Sequence, residues 1–180
     1  MFSIVVPSTL FYKKQHFCLQ YAVAVTSIDP LELLVHNTPN VRLAAAVTDT
    51  RAFKIDEYNN TAVVTVSSNN QVTFDEVLGY LKSFYLKQLQ KSWEEIEKSM
   101  YQCFAKLFSA VSPQLKAFGL CAVYGVDVLI KGDGTPLIIG IDSLPTFPDK
   151  DVAFEVLNFV LRASVVASNC FTKMTVSGSD

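Results

Sequence analysis

The stretch from Val123 to Asp142, VYGVDVLIKGDGTPLIIGID, sets the tightest constraint on the fold. Two apolar runs flank Lys131-Gly132-Asp133-Gly134-Thr135-Pro136, and Asp-Gly is a strong hairpin signal because tight primed turns need residues that accept positive φ. The two runs are therefore expected to pair antiparallel. Side chains of one parity share a face of a strand, so Asp127 lies with Cys121, Val123, Gly125 and Leu129, while Asp142 lies with Ile138 and Gly140. If Ile130 faces Leu137, Asp127 sits across from Gly140, with Asp142 one step further along the same face. Two carboxylates placed this way suit a hard cation such as Mg²⁺. Alternatively, one of them caps the following loop.

The flanking segments supply the rest of the architecture. FCLQYAVAVT alternates with period 2, putting Phe17, Leu19, Tyr21, Val23 and Val25 on one face. LELLVH follows the turn dipeptide Asp29-Pro30, and VRLAAAV follows Thr38-Pro39-Asn40, which together predict a short antiparallel meander. TAVVTV, inside the polar stretch from Asp56 to Gln71, is a candidate further strand. Thr73 then reads as a helix N-cap, with Asp75 and Glu76 in the first turn.

Apolar residues recur at helical spacing from Val77 through Leu89 and again from Trp93 to Phe108. One long helix or two, broken near Gln88 to Ser92, satisfies that stripe, with its end near Ser112-Pro113. Trp93 reads as a core anchor or, alternatively, as a docking residue. A last helix is expected from Asp149 or Asp151 onward, including the apolar Val152 to Ala167, and residues 171–180 are expected to be a loose tail. The fold class is α+β, an antiparallel sheet with packed helices, in one domain over residues 1–170.

Composition narrows the function classes. Half of the 180 residues are hydrophobic and mean hydropathy is +0.28, which fits a well-buried core and an apolar face for a partner. A formal net charge of −2 argues against nucleic acid, which needs a concentrated basic field. No run of about 18 uncharged apolar residues is present, so no membrane span is expected. The N-terminal lysines follow the apolar run, the reverse of a secretory signal. Cys18, Cys103, Cys121 and Cys170 form no CxxC pair, which points to a reducing compartment rather than a zinc or disulfide framework. His16 and His36 are isolated and read as ordinary structural or surface residues.

VYGVDVLIKGDGTPLIIGIDSLPTFP resembles the end of the ATP-grasp core in the tubulin tyrosine ligase-like family, whose pattern is close to F-G-F-D, a short hairpin, then W-L-L-E-V-N-x-S-P-S. SWEEIEKSMYQCFAKLFSAV resembles the helix before that strand. KKQHFCLQYAVAVTSIDPLELLVHNTPNVRLAA resembles the family's K-F-D-x-R-x-W-V-L-V segment and the strand after it. The likeness is strongest from Trp93 to Val166 and covers the C-terminal half of such a ligase, implying the C-terminal subdomain of the ATP-grasp fold.

In that family the Asp of the first strand, the Glu of the second and the Asn two residues later hold the Mg²⁺ ions of Mg-ATP. The resemblance places Asp127 in the first role, Gly140 where the Glu stands, and Asp142 where the Asn stands. It places Cys18 and Gln20 at the Asp and Arg of K-F-D-x-R, and Thr65 and Val66 on the family's H-L-T-N segment. Phosphoryl chemistry needs several cations around dense negative charge, so these departures compound. The resemblance therefore implies a non-catalytic module with a vestigial Mg-ATP site at Asp127 and Asp142 and with no cofactor required. Its implied partner is tubulin, microtubules or a larger cytoskeletal assembly, and its implied location is the cytoskeleton, a cilium or a flagellum. Lys13 and Lys14 read as a solvated strand end or, alternatively, as contacts to an acidic partner such as a tubulin tail. The alternatives are an ATP-dependent amino-acid ligase for tubulin tails completed by another chain, and a nucleotide-binding regulator.

Overall fold

A computed structural model of the chain describes residues 4–6, 8–47, 53–55, 72–116, 122–143, 147, 150, 151, 153, 156 and 171–176. Strands β1 (Ile4–Val6) and β2 (Phe11–Tyr12) precede β3 (Gln15–Ile28), fourteen residues without glycine or proline. Then come β4 (Leu31–His36), β5 (Asn40–Val47) and β6 (Phe53–Ile55). After the helices follow β7 (Ala122–Ile130), β8 (Pro136–Asp142) and β9 (Phe171–Val176). The chain is α+β, with a mostly antiparallel seven-stranded sheet and a separate β1–β6 pair.

β3 organises the sheet because its length gives each edge room for two partners. One edge pairs with β2 and then with β7, from Leu19 to Val25. The other pairs with β5 up to Gln20 and with β4 from Val23 onward, β4 being reached through the two-residue Asp29-Pro30 turn. The predicted meander is thus corrected: β5 returns to β3 rather than to β4. β9 pairs with β4 along its whole length, from Leu31↔Val176 to His36↔Phe171. That corrects the loose-tail expectation for residues 171–176, where Thr172, Met174 and Val176 share the face packed towards the core and Lys173 and Thr175 point to solvent.

Two helical rods cover one face of the sheet. The first opens with α1 (Phe74–Leu81), where the Thr73 hydroxyl accepts from the Glu76 amide at 3.3 Å and the Glu76 carboxylate accepts from the Thr73 amide at 2.9 Å, a complete capping box. It continues through a π-helical turn, Lys82–Leu86, into the short α2 (Lys87–Leu89), and stops at Gln90, whose φ of 51° is left-handed. The second rod, α3 (Trp93–Lys116), starts with another reciprocal pair: Glu95 accepts from the Ser92 amide at 2.7 Å and the Ser92 hydroxyl accepts from the Glu95 amide at 3.2 Å. Two helices broken within the expected segment are therefore present.

The predicted stop near Pro113 is corrected, since α3 runs through it. A proline cannot donate to the carbonyl four residues back, but the Ser112 hydroxyl donates to that Ser109 carbonyl at 2.9 Å and satisfies it.

The core lies between the rods and the odd-numbered face of β3. Phe17, Leu19, Tyr21 and Val23 are at most 1% exposed and meet Val77, Leu81, Ile96, Met100, Phe104 and Phe108. Tyr21 packs on Phe104 and Phe108 on Tyr124, each at 5.5 Å between ring centres. Each such large side chain contributes about 1.5–3 kcal/mol of burial. Trp93, 5% exposed, takes the first of its two expected roles, that of a core anchor. On the opposite face Val6 and Leu129 start a smaller cluster with Leu137 and Ile139.

Lys150, Asp151, Ala153 and Val156 are helical, and Val156 is buried, in line with the expected last helix. Most of Val152 to Ala167, the TAVVTV segment with Thr65 and Val66, and residues 177–180 lie outside the described residues. Among the described residues no helix is long and apolar enough to cross a membrane.

Candidate functional site

The β7–β8 hairpin closes one residue tighter than its apolar pattern predicts, with Ile130 opposite Pro136 and Leu129 opposite Leu137. A bulge between Asp127 and Val128 then takes up the extra residue, Ile139. Beyond it the expected register returns: Asp127 faces Gly140, and Asp142 faces Gly125. Asp127 and Asp142 are therefore on one face, close enough that the Asp142 charge pushes the Asp127 carboxyl upward.

Across the sheet the same row continues from Gly140 to Asp127, Gln20 and Asn40 on β8, β7, β3 and β5. This face points away from the helices, and its polar members are nevertheless buried, with Gln20 at 2% and Asp127 at 8% exposure. A buried carboxylate needs a charged or hydrogen-bonding partner. Arg42, two positions along β5 from Asn40, provides one: its Nη1 donates to Asp127 Oδ2 at 2.9 Å and Oδ1 at 3.2 Å. The Gln20 side chain lies close enough to favour the charged form of the same carboxylate. Burial pushes the Asp127 carboxyl above its ordinary range; Arg42 and Gln20 pull it down, and burial prevails.

Cys18 pairs with Arg42 across β3 and β5 and is 1% exposed. Burial, reinforced by the Asp127 charge, drives its thiol far above the usual range despite Arg42 nearby. A thiol held protonated in this way is neither a nucleophile nor a metal ligand at neutral pH.

The donor set fits a guanidinium better than Mg²⁺. Both Asp127 oxygens already contact Arg42, and Gly140, directly across, brings no ligand. A divalent ion would have to displace a cation that sits inside the sheet at hydrogen-bonding distance. Among the described residues no group of three or more His, Cys, Asp and Glu side chains is placed to share a metal ion.

Arg42 is the residue that sequence reasoning missed. Its signal was a lone cation inside the apolar strand VRLAAAV, where a charge has to find a partner. The two histidines are structural as expected: His16 Nδ1 meets the Thr9 hydroxyl at 2.8 Å, and His36 Nδ1 lies 3.2 Å from the Thr38 amide. No family model and no curated protein sequence matches the chain.

Proposed function

We propose that the chain is a non-catalytic domain of the tubulin tyrosine ligase-like kind, with the C-terminal subdomain of an ATP-grasp fold, that serves as a binding or structural module on microtubules. The observation that carries this reading is the Arg42–Asp127 pair. The carboxylate that the resemblance assigns to Mg-ATP is held by a guanidinium of the same sheet, opposite a glycine. A carboxylate neutralised in this way contributes packing and register rather than a metal site.

A docking surface supports the partner. Lys13 and Lys14 form the tip of the β2–β3 turn at positive φ, 47° and 65°, which non-glycine residues adopt at a cost in strain. The Lys13 ammonium lies 5.0 Å from the Tyr12 ring centre, Tyr12 packs on Tyr80, and Tyr80 packs at 4.5 Å on Phe84. The π-helical turn presents Phe84 to solvent at 57% exposure. Lys82 and Lys87 are exposed on the same rod, and the sequence has no acidic residue between Val77 and Trp93, with Glu76 the carboxylate near Lys13. Cations around an exposed aromatic side chain suit an acidic polypeptide surface such as that of the microtubule.

A thermal-shift titration with Mg-ATP separates this reading from the ligase and the nucleotide-sensor alternatives. The unfolding midpoint is expected to stay constant for the parent chain and for Asp127→Ala. A rise with ligand that vanishes in the variant would overturn the non-catalytic reading.

A further inference from the structure

A second concave site lies on the helix side of the sheet, where α3 passes the β7–β8 turn. It has a volume of about 220 Å³. The sheet separates it from the Arg42–Asp127 pair, which faces the other way.

Two ammonium groups line the cleft, Lys91 and Lys106. Lys91 is fixed there, because its Nζ donates to the Asp133 carbonyl at 2.7 Å. The turn is pressed against it: Gly134 has a φ of 79°, and a Cβ at that position would lie 3.2 Å from Lys91 Cδ. Lys106 has no hydrogen bond or ion pair among the described residues. The single carboxylate of the lining, Glu95, is turned to the helix start, where it accepts the Ser92 amide. The Asp133 carboxylate, which accepts the Thr135 amide at 2.8 Å and acts on Lys91, offsets that ammonium, so Lys106 is the cation of the cleft with no partner among the described residues. Its floor is apolar, made by Ile96, Pro136 and the half-buried Cys103.

We propose that this cleft binds a small organic carboxylate, its oxygens at Lys106 and Lys91 and its hydrocarbon body on Ile96, Cys103 and Pro136. Ser99, Gln102 and Thr135 complete the lining, and polar groups converging over an apolar floor suit a small molecule with one charged end. At about 30 Å³ for each water of liquid volume, the space corresponds to a ligand of about seven non-hydrogen atoms. The apolar floor favours an organic anion over inorganic phosphate.

Cys103 lies in the cleft and reports on it. The probe is iodoacetate, itself a small carboxylate, compared with neutral iodoacetamide, which alkylates by the same thiolate displacement of iodide. The ratio of the two rates at Cys103, resolved by peptide mass spectrometry, cancels the thiolate fraction and leaves the local preference for an anion. Relative to the same ratio for glutathione, the cleft is expected to favour iodoacetate by about fivefold, the Coulomb effect of one charge at close range in water. Lys106→Gln lowers the ratio to the glutathione value, and Lys106→Arg keeps it. Sodium butyrate protects Cys103 from iodoacetamide, while sodium phosphate at the same ionic strength does not. A ratio equal to that of glutathione, a ratio unchanged in Lys106→Gln, or equal protection by phosphate would each overturn the proposal. Lys106 is exposed, so the variant folds, and a circular dichroism spectrum confirms it.

Discussion

Arg42 Nη1 spans both carboxylate oxygens of Asp127, at 2.9 and 3.2 Å, across the strand that lies between them in the sheet. The two residues are 85 positions apart, and both side chains are largely buried, at 20% and 11% exposure. Removing one partner of such a pair strands the other charge away from water, whereas removing both leaves only a packing question.

Arg42→Met is therefore expected to cost about 3 kcal/mol in urea-induced unfolding. The double variant Arg42→Met, Asp127→Leu should recover most of that loss. A double variant as unstable as the single one would mean that the pair contributes more than charge compensation.

The pH dependence follows from the raised Asp127 carboxyl. The folded chain holds this proton more tightly than the unfolded chain, so the contribution is complete below the unfolded value of about 3.9 and is lost as pH rises through the higher folded value. As pH rises from about 4 through the raised folded value, the parent should lose stability relative to Asp127→Asn. Unfolding curves at three pH values across that window check the sign.

Tyr21 is fully buried, and its hydroxyl has no hydrogen-bond partner among the described residues. Burial, reinforced by Tyr101 and Glu97 nearby, pushes its phenol far up. Tyr21→Phe deletes an unsatisfied polar atom and keeps the ring on Phe104, so it is expected to be neutral or to stabilise by about 1 kcal/mol. Tyr101, raised to about 12 by burial, stays protonated until the medium is strongly alkaline. Stability should then fall between about pH 10, the unfolded phenol value, and pH 12, less steeply in the Tyr21→Phe chain. Absorbance at the phenolate band follows both events.

Gly79 sits on the exposed side of α1, and a Cβ built on it meets nothing within 4 Å. Gly79→Ala should stabilise the chain by about 0.5–1 kcal/mol through helix propensity alone. A loss of stability would show that the adjoining π-helical turn needs the glycine.

Much of this architecture was legible because it rests on period and punctuation. The alternation of β3, the Asp133-Gly134 turn, the Thr73 cap and the break before Trp93 are all local signals. The Asp127–Gly140 pairing was also legible, although it is reached through a bulge that no alternation announces, since one residue can be absorbed anywhere along an apolar strand. The choice of β3 over β4 as the partner of β5 is non-local, depending on how much edge a fourteen-residue strand leaves open. Arg42 escaped for the same reason: its partner is brought to it by sheet order and not by spacing in the chain. β9 was hidden because a six-residue terminal strand has little pattern until β4 offers it an edge.

The central claim, a microtubule-binding module without ligase chemistry, is tested most directly by co-sedimentation of the purified chain with stabilised microtubules in the absence of nucleotide. The account predicts saturable pelleting that weakens in Lys13→Glu, Lys14→Glu and in Phe84→Ser, and that is unchanged by Mg-ATP. A chain that stays in the supernatant at every microtubule concentration would contradict it.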